Sequence, residues 1–137
     1  MTRRIRPYHH RKTKISPVRR FLRGFVHAGR GFAVTLRTER NLRFHLAALA
    51  AVVVLGVWTG IDALRWAVVA LAAGMVLAAE LANTAVERLS DRVTKRRDPA
   101  IRFAKDAAAA SVLAAAVSAT AVGMIVLAPP FFRKLGF

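Results

Sequence analysis

A chain of 137 residues that is 55% hydrophobic and yet carries a formal net charge of +16 fits a single domain; it suits a small membrane protein with a basic cytoplasmic surface better than a soluble globule. The absence of cysteine excludes disulfides, thiolate metal sites, cysteine nucleophiles and cysteine-held haem or iron–sulfur groups. An isoelectric point near 12.0 is also a mark of nucleic-acid binders, but no recognition helix, zinc-ligand spacing or aromatic RNA-binding signature accompanies it, so the expected partner is anionic lipid rather than nucleic acid.

Residues 1–15 are basic, contain Pro7 and offer few core formers; they are expected to be a disordered arm lying at the lipid surface. They do not read as a signal peptide, because the basic region is long and the first apolar span shows no small-residue cleavage pattern. Ser16-Pro17 reads as a helix start, serine as N-cap and proline at the first helical position. Over 17–39, Phe21, Leu22, Phe25, Gly29, Phe32, Ala33 and Leu36 share one side of a helical wheel and Arg19, Arg23, Arg30 and Arg37 the other, the pattern of a helix lying in the membrane interface. The first span, 42–60, contains the uncharged run "LAALAAVVVLGVWTGI", with Arg43 and His45 at its start expected to snorkel towards headgroups. Gly60 and Asp62 form a tight connection, Asp62 capping the second span, 64–90. "TKRRDP" is a loop, and Asp98-Pro99 restarts a helix whose span, 99–128, is expected to stop at Pro129-Pro130. Each apolar stretch is near the ~20 residues that cross a bilayer.

Nine Lys and Arg residues lie in 1–23 and seven between Arg88 and Lys105, while the Asp62 turn has almost none. The positive-inside rule therefore puts the N-terminus and the second connection in the cytoplasm; Arg133 and Lys134 weigh little against that. The alanine-rich "AAAASVLAAAVSATAVG" allows helices to approach closely, as in a packed bundle or an oligomer.

Carboxylates then interrupt the second span, in "ELANTAVERLSD" at 80–91. At 100° per residue Glu80, Thr84, Glu87 and Asp91 fall within about 60° of one another, with Asn83 bordering them. From the ~1.5 Å rise per residue, Glu80 sits roughly 10 Å deeper than Glu87. A charge at that depth is costly in lipid, so the stripe must line a cleft filled by water, metal, substrate or a neighbouring subunit. Three readings meet that requirement: internal ion pairs with Arg88, Arg92 or Lys105; an ion or proton pathway; and metal-assisted phosphoryl transfer. In the last, carboxylates suit Mg²⁺, Glu39 supplies a further ligand, and Lys105-Asp106 places a lysine within reach of phosphates. Periodicity alone leaves all three open. The chain carries neither the G-x-x-x-x-G-K-[ST] phosphate loop nor the protein-kinase signature set.

"ELANTAVERLSD" resembles the signature of the prokaryotic diacylglycerol kinase family: Glu, then Asn-Ser/Thr-Ala, then Glu, then Asp four residues on. "AKDAAAASVL" resembles that family's Ala-Lys-Asp segment, and "TERNLRFH" the Glu-Lys-Asn-x-Arg-Ile-His stretch of its Gram-positive branch, the undecaprenol kinases. The likeness covers roughly residues 20–128 with hardly any gap. It implies an all-α integral membrane protein, a homotrimer of three-span subunits with an N-terminal surface helix and active sites between neighbouring subunits. It also implies ATP- and Mg²⁺-dependent phosphorylation of a lipid's primary hydroxyl at the cytoplasmic face of the bacterial plasma membrane. Carried over by position, Glu80 matches the general base, with Asn83 in the same polar shell; Glu39 and Glu87 match the metal-binding pair. Lys105 and Asp106 match residues near the nucleotide, and Arg20, His27, Arg30, Gly31, Asp91 and Asp98 fall among its expected contacts.

The sequence departs from the family pattern at several points. His27 stands where tyrosine is usual, "RRDP" (96–99) replaces a Tyr-His-Pro-like loop, Ser90 replaces an apolar residue, and Ala110 stands where the Gram-positive branch commonly has glycine. No acidic or lysine position is lost. The expected activity is kinase chemistry on undecaprenol, with diacylglycerol as the alternative lipid and a non-catalytic membrane scaffold as the alternative of another class.

Overall fold

The computed structural model describes residues 16–136, so the expectations for the basic arm lie outside the described residues. Four helices follow in order: α1 (Pro17–Thr38), α2 (Arg40–Thr59), α3 (Ala63–Val93) and α4 (Pro99–Lys134). The last three are long and apolar enough to cross a membrane. The chain divides into two compact units, Met1–Gly31 and Phe32–Phe137. The described part of the first is the N-terminal stretch of α1, on which Phe21 and Phe25 meet edge to face with ring centroids 5.1 Å apart.

Local chemistry sets the helix ends. The Arg19 backbone N–H donates to Ser16 Oγ (3.4 Å) ahead of Pro17. Gly60 ends α2 in the left-handed conformation (φ 71°). There the backbone N–H groups of Gly60 and Ile61 both return to the Gly56 carbonyl, at 3.0 and 3.2 Å, satisfying it in a turn that favours glycine. Asp62 Oδ1 accepts from the Arg65 backbone N–H (2.9 Å). That bond, with the nearby Arg65 guanidinium, holds the Asp62 carboxyl below its ordinary value. Asp98 accepts from the backbone N–H groups of Ala100 (2.8 Å) and Ile101 (3.3 Å), with Pro99 at the first helical position; both cap-plus-proline starts form as the sequence dictates.

In the second unit α3 packs most extensively on α4, and α2 lies against both. The buried centre is Ile61, Val69 and Val126, with Val52, Trp66, Val122 and Leu127 around it. Large apolar side chains also point outward from all three long helices, among them Val54, Val57, Leu64, Leu71, Leu113 and Ile125; in water such faces would aggregate, and in lipid they are at home.

Pro129-Pro130 does not stop the last helix. α4 continues through both residues to Lys134, although an interior proline typically costs a helix about 3 kcal/mol. Tertiary contact holds the extra turn: Pro130 is buried beside Val126, and the Phe131 ring meets Trp58 of α2 at 5.8 Å.

Gly56 marks the closest α2–α3 approach. A Cβ there would lie 2.8 Å from the Trp66 ring and 3.1 Å from Ile61 Cδ1. Gly56→Val is therefore expected to destabilise the unit by about 1–3 kcal/mol through overpacking. Thermal unfolding in detergent micelles checks this, with Gly74→Val, where a Cβ meets nothing within 4 Å, as the control.

Candidate active site

No glycine or proline occurs between Met75 and Val93, so α3 carries its polar stripe out of the apolar region on one unbroken rod. The stripe grades from buried to exposed. Glu80 is 2% exposed and Asn83 and Thr84 are buried, Glu87 is half-buried and Asp91 exposed. His45 of α2 does not snorkel outward, as its place at the helix start had indicated. Its Nε2 lies 3.2 Å from Glu80 Oε1, because α2 presents this position towards α3. Even so, Glu80 Oε1 and Asn83 Oδ1 are buried and accept no hydrogen bond. Each such orphan typically costs about 1–3 kcal/mol. Two of them three residues apart on one helix are the kind of exception that asks for an explanation.

The Asn83 amide Nδ2 donates to Glu87 Oε1 at 3.3 Å, which ties the stripe together. One residue beyond Glu87, Arg88 Nη2 crosses to the α1–α2 junction, where it bonds Thr38 Oγ1 and Glu39 Oε1, the latter at 3.2 Å. Thr38 Oγ1 itself donates to Glu39 Oε1 at 3.0 Å. Glu39 is thus fixed against the outer part of the α3 stripe. Lys105 Nζ donates to Asp91 Oδ1 at 3.1 Å, the internal ion pair open to Asp91 on sequence grounds, while Asp106 pairs with Arg102 at 3.8 Å.

Two cavities flank this constellation. A cleft of about 990 Å³ is lined by Asp91, Arg96, Arg97, Arg102, Lys105 and Asp106 among others, and by Asp98, which also caps α4. The other, about 450 Å³ and almost wholly apolar, lies between α2, α3 and α4. The order of lining residues along the three helices puts His45, Leu77 and Ala116 together at one end and Val52, Val69 and Leu127 at the other. Arg20, His27, Arg30 and Gly31 belong to the first unit and are exposed, like the rest of its described residues from 18 onward.

Residues 26–127 match the sequence profile described as prokaryotic diacylglycerol kinase. The chain is 41% identical over 110 residues to the undecaprenol kinase of Bacillus subtilis, covering 80% of this chain and 89% of that one. It is 35% identical over 112 residues to the diacylglycerol kinase of Synechocystis, covering 81% of this chain and 64% of that protein. The chain belongs to the prokaryotic diacylglycerol kinase family.

As a member of that kinase family it has to accommodate phosphate charge, and the outer part of the stripe offers oxygen donors that would suit a hard cation. Glu39, Glu87 and the orphaned Asn83 Oδ1 offer oxygen atoms of the kind Mg²⁺ takes, usually one or two carboxylates with phosphate oxygens completing the shell. The residues therefore fit such an ion. Among the described residues no group of three or more His, Asp and Glu side chains gathers into a self-contained metal cage. Two participants escaped the sequence reading. On sequence grounds Arg88 offers itself only as an ion-pair partner for the acidic stripe of its own helix. His45 reads as a headgroup anchor, although the "TERNLRFH" stretch that carries the family likeness ends on it.

Proposed function

We propose that this protein is a membrane lipid kinase that transfers the γ-phosphate of ATP to the primary hydroxyl of undecaprenol. The observation that carries the reading is a deeply buried carboxylate, Glu80, whose Oε1 accepts no hydrogen bond and lies 3.2 Å from His45, a residue that lines the apolar cavity. That is a place for a lipid alcohol, apolar chain in the cavity and hydroxyl at the carboxylate. Identity to the Bacillus undecaprenol kinase supports the choice of lipid; the likeness to a diacylglycerol kinase keeps diacylglycerol as the second.

In this reading Glu80 takes the hydroxyl proton as the lipid oxygen bonds the γ-phosphorus and the bond to the ADP oxygen breaks, the electron pair leaving with ADP. Asn83 holds the stripe in register through Glu87. Lys105, steered by Asp91, offsets phosphate charge in the basic cleft, where Asp98 and Asp106 border the nucleotide. Glu39 and Glu87 hold Mg²⁺, which when bound offsets the charge that develops on the transferring phosphoryl group. Arg20, His27, Arg30 and Gly31 of α1 contact the nucleotide, with α1 lying amphipathically in the cytoplasmic surface of the inner membrane. The basic connection between α3 and α4 is cytoplasmic as well, and three copies assemble with sites between subunits.

The test is label transfer from γ-labelled Mg-ATP in mixed micelles, with undecaprenol and diacylglycerol offered in parallel. Label chiefly on undecaprenol is expected. Label chiefly on diacylglycerol would keep the chemistry and move the substrate; no label on either, from folded protein, would overturn the reading.

A further inference from the structure

A base that is 2% exposed must release its proton before the next turnover, and α3 gives Glu80 no path to water of its own. The one titratable group that touches it among the described residues is His45, whose Nε2 stands 3.2 Å from Glu80 Oε1. That separation is within the reach of proton transfer, and catalytic contacts are often poorly aligned until substrate is bound. The imidazole is 17% exposed against 2% for the carboxylate, so it stands between the buried oxygen and the outside. Its other neighbours across the cavity are uncharged: Val76 and Leu77 on α3, and Ala116, Ala119 and Thr120 on α4. Phe44 meets it edge-on at 5.8 Å. Among the described residues the Glu80 carboxylate is the one charged group that His45 pairs with.

We propose that His45 is the proton exit of this site, receiving at Nε2 the proton that Glu80 takes from the lipid hydroxyl. The inference rests on the reading of Glu80 as the base. As the lipid O–H bond breaks, the hydrogen goes to Glu80 Oε1 and the lipid oxygen keeps the electron pair with which it bonds phosphorus. Glu80 O–H then gives that proton to the Nε2 lone pair, restoring the carboxylate and leaving an imidazolium, which discharges to water. His45 acts through Glu80 and is a positioning and relay residue, not one that touches phosphate.

The experiment is the pH dependence of kcat for the full chain in mixed micelles with saturating Mg-ATP and undecaprenol, comparing the wild type, His45→Gln and His45→Ala, with folding checked by thermal unfolding. A protonated imidazole cannot accept, so a relay through His45 predicts an acid limb in wild-type kcat. In His45→Gln that limb should vanish and the plateau fall about 10- to 100-fold, within the range of lost acid–base assistance, with KM for lipid unchanged. Added imidazole should restore part of the kcat of His45→Ala. Retention of kcat and of the acid limb in His45→Gln would overturn the proposal, as would a loss confined to KM for lipid or a His45→Ala protein that imidazole does not rescue. Glu80→Gln separates the two layers. Inactive Glu80→Gln beside fully active His45→Gln removes the relay alone, whereas full turnover by Glu80→Gln removes the base and the relay with it.

Discussion

Glu80→Gln is expected to lower kcat by about 10²- to 10⁴-fold, the usual worth of a positioned general base, while leaving a folded protein. The substitution keeps size and shape and removes only the capacity to take a proton. The buried carboxylate meets a single titratable partner, His45, and one of its oxygens accepts no hydrogen bond, so the amide loses little that the fold uses. Removing a buried charge also lowers the desolvation cost of the folded state. The expected combination is therefore severe loss of turnover with a midpoint of thermal unfolding at or above that of the wild type. ADP release and circular dichroism on the same preparation check both halves. A protein that lost activity because it lost its structure would show the opposite thermal result, and full turnover would show that Glu80 is not the base.

Glu87→Gln should raise the magnesium requirement rather than weaken the binding of lipid. Glu87 is half-buried, outside Glu80 on the same stripe, and its Oε1 already accepts from Asn83, which leaves oxygen atoms for a cation. Replacing the carboxylate by a neutral amide removes a hard anionic ligand. The apparent magnesium affinity should fall by about 10- to 100-fold, the scale on which disturbed metal shells respond, and part of the lost rate should return at high magnesium. Titrating magnesium at fixed ATP, with KM for undecaprenol measured alongside, distinguishes this from damage to the lipid site. An unchanged magnesium curve would contradict the assignment. Chelation with excess EDTA should abolish transfer by the wild type in the same assay.

Local rules made much of the architecture legible. Ser16-Pro17, Asp62 and Asp98-Pro99 each announce a helix start within a few residues, and Gly60 announces the turn between α2 and α3. The 100° rotation per residue was enough to put Glu80, Thr84 and Glu87 on one side of α3, and burial falls along that side from Glu80 outward. What was illegible depends on a second helix. The passage of α4 through Pro129-Pro130 is held by Trp58, over seventy positions earlier in the chain. Gly56 looks like any glycine in an apolar helix until Trp66 is folded against it. His45 and Arg43 are both polar groups at a helix start, and only the placement of α3 turns His45 inward onto Glu80. Arg88 reaches Glu39 and Thr38 for the same reason. The site was readable as a list of residues, Glu39 among them; the contacts that His45 and Arg88 make with those residues from other helices were not.

The central claim is that this site delivers phosphate to a lipid hydroxyl and keeps it from water. The most direct measurement is the amount of ADP released against the amount of lipid phosphate ester formed, both quantified in one reaction of the wild-type protein with Mg-ATP and undecaprenol in mixed micelles. Equal amounts are predicted, with ADP release falling to background when the lipid is omitted. ADP released without the matching ester would contradict the account.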